Sequence, residues 1–169
     1  LMQRLKELEI DENTVVFFLS DNGGVPSQCR QPPLRAYKGS YYEGGIRVPF
    51  MVRWPGKIKP ARSQEPVMAI DLYPTLLDLC GLPAKPTNQG DSLVPLLKKP
   101  NAKRRFSVLT TYARGNHTLR SERHRYLRLE DGSEELYDHG QDPHEWTNLA
   151  RQRDTTVILE RFRKELPKK

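Results

Sequence analysis

An uninterrupted apolar run near the start of the chain restricts its fold more than any other feature. Residues 14–20 read Thr-Val-Val-Phe-Phe-Leu-Ser, with β-branched and aromatic side chains and no polar alternation. A strand of this composition is typical of a parallel or mixed sheet that is covered on both faces. The preceding residues 1–9 carry Leu1, Leu5 and Leu8 at helical spacing. A helix followed by a buried strand predicts an α/β fold.

A long irregular segment follows this strand. Residues 21–45 are rich in Gly, Pro, Ser and Gln and lack periodicity, which predicts a loop starting at the carboxyl end of the strand. Open α/β sheets bind ligands at such strand ends. Asp21 and Asn22 place a carboxylate and an amide there, and their oxygen atoms suit Ca²⁺ or Mg²⁺. Gly23 and Gly24 would let the backbone approach a metal or an oxyanion, although Asp-Asn-Gly-Gly is equally an ordinary turn sequence.

Lys38 is a second candidate for chemistry in the same loop. It is followed by Gly39, and no apolar periodicity explains its place. A lysine on such a loop can act as a point charge for phosphate or sulfate. The alternative is a solvated surface lysine, and composition does not decide between the two.

The spacing of apolar residues after this loop indicates that the chain has two parts. A second strand is predicted over residues 46–54, with Pro49 marking an edge or a bulge, and a helix over 69–80 that Gly81 ends. After a Pro-rich connection the pattern becomes antiparallel strands at 106–112, 117–122, 126–130 and 134–137, then a helix at 155–166. We therefore expect residues 1–100 to belong to a larger α/β domain and residues 101–169 to form a small antiparallel subdomain with a terminal helix.

Composition excludes several classes of protein. No stretch approaches the roughly 18 apolar residues of a membrane helix, and no recognition helix, zinc pattern or RNA-binding aromatic signature is present. We therefore predict neither a membrane span nor nucleic-acid binding. The 28 Lys and Arg residues exceed the 21 Asp and Glu residues, which gives a net charge of +7. Five arginines lie close together in the C-terminal part: Arg114, Arg120, Arg123, Arg125 and Arg128. They would attract sulfated glycans, or they are outward-facing side chains of strands.

Several motifs occur in one consistent order along the chain. Ser-Asp-Asn-Gly-Gly begins at Ser20, Lys-Gly-Ser-x-Tyr-Glu-Gly-Gly-Ile-Arg-Val-Pro at Lys38, Trp-Pro-Gly-Lys-Ile at Trp54, and Asp-Leu-Tyr-Pro-Thr-Leu-Leu at Asp71. Three C-terminal segments fit the same pattern: 120–126, 131–138 and 142–149. Together these motifs resemble the carboxyl half of sulfatases, in particular the bacterial branch similar to iduronate and choline sulfatases.

The resemblance implies a fold and roles for individual residues. The fold would be the C-terminal part of an alkaline phosphatase-like sulfatase fold, with a small antiparallel α+β subdomain. Asp21 and Asn22 match the pair that helps to hold an active-site Ca²⁺, which we expect rather than Mg²⁺. Lys38 matches the catalytic lysine that contacts the sulfate group. His117 begins a strand that in the family packs near the substrate entrance, so it would hydrogen-bond substrate, or else cap its loop or pack against Tyr112.

The resemblance also implies a reaction and a location. The reaction would be hydrolysis of a sulfate ester, carried by a small molecule or by a sulfated glycan. The location would be periplasmic or extracellular, with any signal peptide outside this chain. A phosphodiesterase or phosphonate hydrolase of the alkaline phosphatase-like group is one alternative, and a non-catalytic remnant that binds anionic glycans is another.

The sulfatase nucleophile is missing from the sequence. In the family a Cys or Ser in a Cys/Ser-x-Pro-x-Arg segment is converted to formylglycine, whose hydrate attacks sulfur. Cys29 and Cys80 are each followed by a proline one place too late, and no serine lies in such a segment. We therefore expect the chain to be the C-terminal portion of a sulfatase, with formylglycine in a missing N-terminal part, and to be inactive by itself.

Overall fold

The chain folds into two compact units. The structure is a computed structural model that describes residues 1–29 and 31–167. The first unit comprises residues 1–21, 48–64 and 69–102, and the second comprises residues 22–47, 65–68 and those from 103 onward. The predicted domain boundary after residue 100 stays a prediction for the longer protein that the motifs imply.

Eleven α-helices and β-strands belong to the two units within the described residues. In chain order they are α1 (Met2–Glu7), β1 (Val16–Leu19), α2 (Glu43–Ile46), β2 (Phe50–Arg53), α3 (Leu72–Leu79), α4 (Val94–Lys98), β3 (Val108–Thr111), β4 (His117–Arg120), β5 (His124–Arg128), β6 (Glu134–Asp138) and α5 (Thr156–Glu165). In the described part of the chain, no helix has both the length and the apolar character that a membrane crossing requires.

The first unit contains the apolar run, now strand β1. It pairs antiparallel with β2, with Leu19 opposite Phe50. Phe18 and Met51 are 59% and 57% exposed. The prediction of a strand covered on both faces of a parallel or mixed sheet is therefore wrong for the described chain, because β2 is its only hydrogen-bonded neighbour there and lies antiparallel to it.

Strand β2 begins later than the sequence predicts. Residues 43–46 form the helical turn α2, so the strand starts at Phe50, after Pro49. The predicted helix over residues 69–80 is confirmed as a 3₁₀ turn followed by α3, and the chain leaves it at Gly81 with a φ of +66°. A positive φ at this position is the usual way in which a glycine ends a helix.

Two buried polar side chains fix α3 to the segment that leads into α4. The Asp71 carboxylate accepts a hydrogen bond from the amide of Asp91 at 2.9 Å, and the Thr75 hydroxyl accepts one from the amide of Leu93 at 2.8 Å. Both side chains are completely buried, so these bonds satisfy groups that would otherwise destabilise the fold.

The second unit is built on the predicted antiparallel sheet, whose order is β3-β4-β5-β6. Leu119 lies opposite Tyr126, and Tyr126 lies opposite Leu136, so the three side chains share one face of the sheet. Helix α5 covers this face with Leu159 and Phe162. The Tyr126 and Phe162 rings stack at a centroid distance of 5.6 Å. These residues form the hydrophobic core of the unit.

Residues 22–47 cover the opposite face of the same sheet. Because side chains alternate along a strand, Arg125 points away from the Tyr126 face. Its side chain is 0% exposed and bonds the carbonyl oxygen of Tyr41 at 2.8 Å. The prediction that these arginines face outward is therefore wrong for Arg125, since the loop buries it. Strand β5 is buried on both faces over residues 125–127.

Candidate functional site

Main-chain hydrogen bonds join the separate motifs of the loop over residues 22–47. The amide of Gly23 donates to the carbonyl of Gly45 at 2.9 Å, and the amide of Gly44 donates to the carbonyl of Arg35 at 2.8 Å. The amide of Lys38 donates to the carbonyl of Gly24 at 3.0 Å. The segment around Lys38 is thus bonded directly to Asp-Asn-Gly-Gly and indirectly to Tyr-Glu-Gly-Gly.

The glycines of these motifs are required by close backbone packing. A Cβ atom added to Gly23 would lie 1.9 Å from the carbonyl oxygen of Gly44. A Cβ on Gly44 would lie 2.2 Å from the oxygen of Ala36, and one on Gly45 would lie 2.4 Å from that of Ser40. These distances leave no room for a side chain. At Gly23, therefore, the structure shows a role in packing the loop.

Lys38 is presented to solvent by this packed loop. Its side chain is exposed and, among the described residues, forms no hydrogen bond or ion pair. The backbone on either side is constrained by positive φ angles of 62° at Ala36 and 88° at Gly39. The lysine therefore offers an uncompensated positive charge on a segment whose main chain is hydrogen-bonded in place.

Asp21 and Asn22 lie just after β1, from which Ser20 separates them. Asp21 is exposed and is the last residue of that segment of the first unit, while Asn22 is half-buried and begins the second. A carboxylate and an amide are the hard oxygen ligands that Ca²⁺ binds, so the donor set fits this ion. Ca²⁺ takes about six to eight ligands, so these two residues would supply part of a site.

The centre of the second unit is a buried ionic cluster that involves Arg125. Its guanidinium bonds the carboxylates of both Glu43 and Glu145, and all three side chains are almost completely buried. His139 Nε2 lies 2.9 Å from Glu145 Oε1, and Arg125 also contacts the hydroxyl of Thr118 at 3.3 Å. We define these four residues, Glu43, Arg125, His139 and Glu145, as the Arg125 cluster.

The Arg125 cluster also has the arrangement of a potential metal site. Ligand atoms of Glu43, His139 and Glu145 lie within 4.8 Å of one another. The guanidinium of Arg125 already bonds one oxygen of each carboxylate, and a metal ion would have to compete with this fixed positive charge. We therefore interpret the cluster as an internal ion-pair network.

Neighbouring arginines keep Glu43 ionised. Burial opposes the charged form of Glu43, but Arg125 and Arg120 outweigh this effect and hold the pKa of the carboxyl below its ordinary value. The Nε atom of Arg120 lies 3.4 Å from Glu43 Oε1, and the exposed Arg47 lies 3.2 Å from Oε2. Glu43 therefore carries its negative charge at neutral pH.

A second set of contacts attaches the loop to strand β6. The Arg35 guanidinium donates to the hydroxyl of Tyr137 at 3.0 Å and to the carbonyl of Glu145 at 2.6 Å, and it lies over the ring of Tyr42. The Tyr42 hydroxyl donates to Glu135 at 2.9 Å. Burial and this hydrogen bond raise the pKa of Tyr42 to about 12, so its hydroxyl remains a donor at neutral pH.

His117 lies at the start of β4, as predicted. Its Nδ1 atom is 2.8 Å from the hydroxyl of Thr111, its partner across the ladder. Tyr112 follows Thr111 and packs edge-on against Tyr41 of the loop, with ring centroids 5.8 Å apart. No hydrogen bond or ion pair joins His117 to Lys38 within the part of the chain that the structure describes.

A basic cavity of about 320 Å³ lies elsewhere in the second unit. Six basic side chains line it: Lys103, Arg104, Arg105, Arg120, Arg123 and Arg161. Most of them are paired; Lys103 contacts Glu65 and Glu122, for example. Arg105 lies over the Phe106 ring and has no ion pair among the described residues. The cavity contains no residue of the loop over 22–47.

Sequence reasoning missed the residues that hold the loop in place. Glu43 and Glu145 lie within two of the recognised motifs, and that position was the available signal. Arg125 gave no signal, because an arginine in a strand is read as an exposed side chain. Arg35 gave none because it lies in the loop, where the sequence shows no periodicity.

Comparison with known proteins assigns the chain to a family. Residues 37–169 match the family described as N-sulphoglucosamine sulphohydrolase, C-terminal. A sulfatase from Formosa agariphila is 31% identical over 173 residues, covering 99% of this chain and 32% of that protein. An N-acetylgalactosamine-6-O-sulfatase from Bacteroides thetaiotaomicron is 31% identical over 191 residues, covering 93% of this chain and 37% of its own length.

A solved structure confirms the fold. The crystal structure of Ps i-CgsB in complex with k-i-k-neocarrahexaose superposes with a TM-score of 0.80 at 27% identity, covering 96% of this chain and 38% of that one. The chain spans about a third of the length of the curated relatives named above. It therefore has the α/β, alkaline phosphatase-like fold expected from its motifs, and it belongs to the sulfatase family.

Proposed function

We propose that this chain is the C-terminal portion of an enzyme that hydrolyses sulfate esters of glycans, and that it supplies Lys38 to the sulfate group. The observation that supports this proposal best is the state of Lys38. Its ammonium group is unpaired among the described residues, although its backbone is bonded to the Asp-Asn-Gly-Gly segment. A preorganised cation of this kind stabilises negative charge as it develops on transferring oxygens.

A metal ion completes the proposed site. Asp21 and Asn22 would hold Ca²⁺, together with ligands that these two residues do not supply. Bound Ca²⁺ would supply positive charge that polarises the sulfate group. Asn22 begins the segment to which the Lys38 amide is bonded through Gly24, so the backbone links the metal ligand and the lysine.

The nucleophile would come from elsewhere in the longer protein. The Cys/Ser-x-Pro-x-Arg segment is not found within the 169 residues, and both Cys29 and Cys80 are exposed free thiols outside such a segment. We therefore infer that formylglycine lies outside this chain and that the chain alone does not turn over sulfate esters.

The substrate class is supported by the relatives. One relative is named for removal of a 6-O-sulfate from N-acetylgalactosamine, and one solved structure holds neocarrahexaose, a saccharide. His117 would hydrogen-bond the sugar through Nε2, because its Nδ1 atom is engaged by Thr111. A glycan of this kind fits the periplasmic or extracellular location that the motifs predict.

Steady-state kinetics would test the reaction. The longer protein should hydrolyse 4-nitrophenyl sulfate or a sulfated monosaccharide and should favour it over the corresponding phosphate ester. The 169-residue chain, assayed in parallel, should release no sulfate. A preference for phosphate, or turnover by the purified chain alone, would contradict the proposal.

A second candidate function is the binding of anionic glycans by the basic cavity. Arg105 supports it, because its guanidinium has no ion pair within the described chain and the cavity is large enough for one sugar unit. Under this function, Arg105→Glu would abolish the binding of a heparin-like polymer, whereas Lys38→Ala would preserve it. Loss of binding with Lys38→Ala and not with Arg105→Glu would favour the catalytic site instead.

A further inference from the structure

We propose that Arg125 is a positioning residue for Lys38: it holds the loop over residues 22–47, which carries Lys38, against the sheet of the second unit. The inference rests on the proposed function of Lys38. Three parts of the chain that are far apart in the sequence then share one role, which is to hold this loop in place. They are Tyr-Glu-Gly-Gly at 42–45, Arg125 in β5, and Asp-Pro-His-Glu at 142–145.

The first step is the attachment of the loop to Arg125. One guanidinium nitrogen bonds the carboxylate of Glu43, 82 residues earlier, and another bonds the carbonyl of Tyr41 at 2.8 Å. The third nitrogen, Nε, bonds Glu145. A planar guanidinium presents its donors in a fixed fork, so its orientation by Glu145 also fixes the directions in which it bonds the loop.

The second step runs from Glu43 to Lys38 through the backbone. Glu43 is the first residue of α2, and the next residue, Gly44, donates its amide to Arg35 at 2.8 Å. Gly45 accepts the amide of Gly23, and Gly24 in turn accepts the amide of Lys38. A displacement of Glu43 therefore disturbs the hydrogen bonds that place Lys38.

The third step concerns energy. Glu43, Arg125 and Glu145 are almost completely out of water, and removing one partner leaves a buried charge uncompensated. The loop has only one short helical turn, α2, and no strand of its own among its described residues. Its position on the sheet therefore depends on side-chain contacts such as those of Arg125, Arg35 and Tyr42. Among these contacts, the Arg125–Glu43 ion pair joins two side chains that are almost completely buried.

The test compares Arg125→Lys with Phe162→Leu in the 169-residue chain. The lysine variant keeps the charge but cannot reach Glu43, Glu145 and Tyr41 together. Phe162→Leu weakens the core on the other face of the sheet, where Phe162 stacks on Tyr126. Both variants are measured at a temperature at which circular dichroism shows them to be folded, so that loss of stability alone does not decide the result.

Amide hydrogen exchange is the first readout, and it does not depend on sulfate binding. Arg125→Lys should accelerate exchange at the amides of Gly23, Lys38 and Gly44 by about tenfold or more relative to Phe162→Leu, because a hydrogen bond to a charged group has been lost. Equal exchange at these amides in the two variants would overturn the proposal, even if Lys38 binds sulfate.

Sulfate titration is the second readout. Inorganic sulfate is added to each variant, and its dissociation constant is read from the shift of the Lys38 amide resonance. We expect about tenfold weaker binding for Arg125→Lys than for Phe162→Leu. If the two variants bind sulfate equally weakly, Arg125 has only a structural role and the proposal is wrong. A wild-type chain that shows no binding would contradict the role proposed for Lys38 and would leave the exchange result to decide the positioning role.

Discussion

Arg125 and Glu43 form a buried ion pair between residues 82 positions apart, and both side chains are less than 5% exposed. The pair connects the second unit's sheet to the loop that carries Lys38. Glu145 bonds the same guanidinium from the segment after β6. One buried positive charge therefore lies between two negative charges, which is the arrangement in which burial of ionised groups is tolerated.

Loss of the Glu43 charge should destabilise the second unit strongly. Glu43→Gln leaves Arg125 partly uncompensated in a buried place, so we expect the free energy of unfolding to fall by about 3–5 kcal/mol, measured by urea denaturation. Arg47→Met is the matched control, because Arg47 contacts the same carboxylate from a side chain that is 62% exposed. It should cost about 1 kcal/mol or less. Similar losses of unfolding free energy in the two variants would contradict the claim that the buried Arg125–Glu43 pair stabilises the unit more than the exposed Arg47 contact does.

Gly23 should not tolerate a side chain. Gly23→Ala places a methyl group 1.9 Å from a main-chain oxygen, so the loop must move. Gly39→Ala is the control: its φ of +88° strains the alanine, but no atom lies within 4 Å of the new methyl group. We expect about 1–2 kcal/mol of destabilisation for Gly39→Ala and a larger loss for Gly23→Ala. A larger loss of thermal stability for Gly39→Ala than for Gly23→Ala would contradict the close backbone packing described at Gly23.

Stability should fall in acid because of Glu134. The hydrogen bond from Arg163 lowers the pKa of Glu134 to about 2, while burial opposes this shift. The pKa in the folded state lies below the ordinary value of about 4.3, so this stabilisation is present above that value and is lost as pH falls toward 2. Glu134→Gln should therefore reduce the difference in stability between pH 7 and pH 3. Glu160→Gln, on the exposed face of α5, should leave it unchanged.

Metal binding by the longer protein should depend on Asp21. We expect Asp21→Asn to lower the Ca²⁺ content measured by mass spectrometry, because it replaces a charged ligand by a neutral one. The rise in melting temperature on addition of Ca²⁺ should shrink in parallel, since a ligand that binds only the folded state stabilises it. The control is Glu9→Gln, which is exposed in the first unit. Full Ca²⁺ content in Asp21→Asn would contradict the assignment.

The sequence predicted the periodic elements of the chain well. All four strands and the terminal helix of the second unit are confirmed, because alternation and helical spacing reflect burial on one face. The sequence predicted poorly which side chains of β1 and β5 are buried. The run in β1 was read as buried on both faces, whereas Phe18 is exposed in the described chain. Arg125 was read as exposed, whereas the loop covers it.

The candidate site was likewise predicted only in part from the sequence. The motifs placed Lys38, Asp21 and Asn22 in a loop after β1, and the structure confirms that position. The hydrogen bonds that Arg125 donates to the loop and that Arg35 donates from the loop join residues that are 82 to 110 positions apart. Local periodicity carries no information about such pairs, which is why the residues that hold the loop were not predicted.

The activity of the longer protein with a substitution at Lys38 tests the central claim most directly. Lys38→Ala should lower kcat/KM for a sulfate ester by about 10²–10³, the usual cost of removing one group that stabilises transition-state charge. Lys57→Ala, at an exposed lysine in the first unit, should leave kcat/KM unchanged. An unaltered kcat/KM in Lys38→Ala would contradict the proposal that Lys38 acts on the sulfate group.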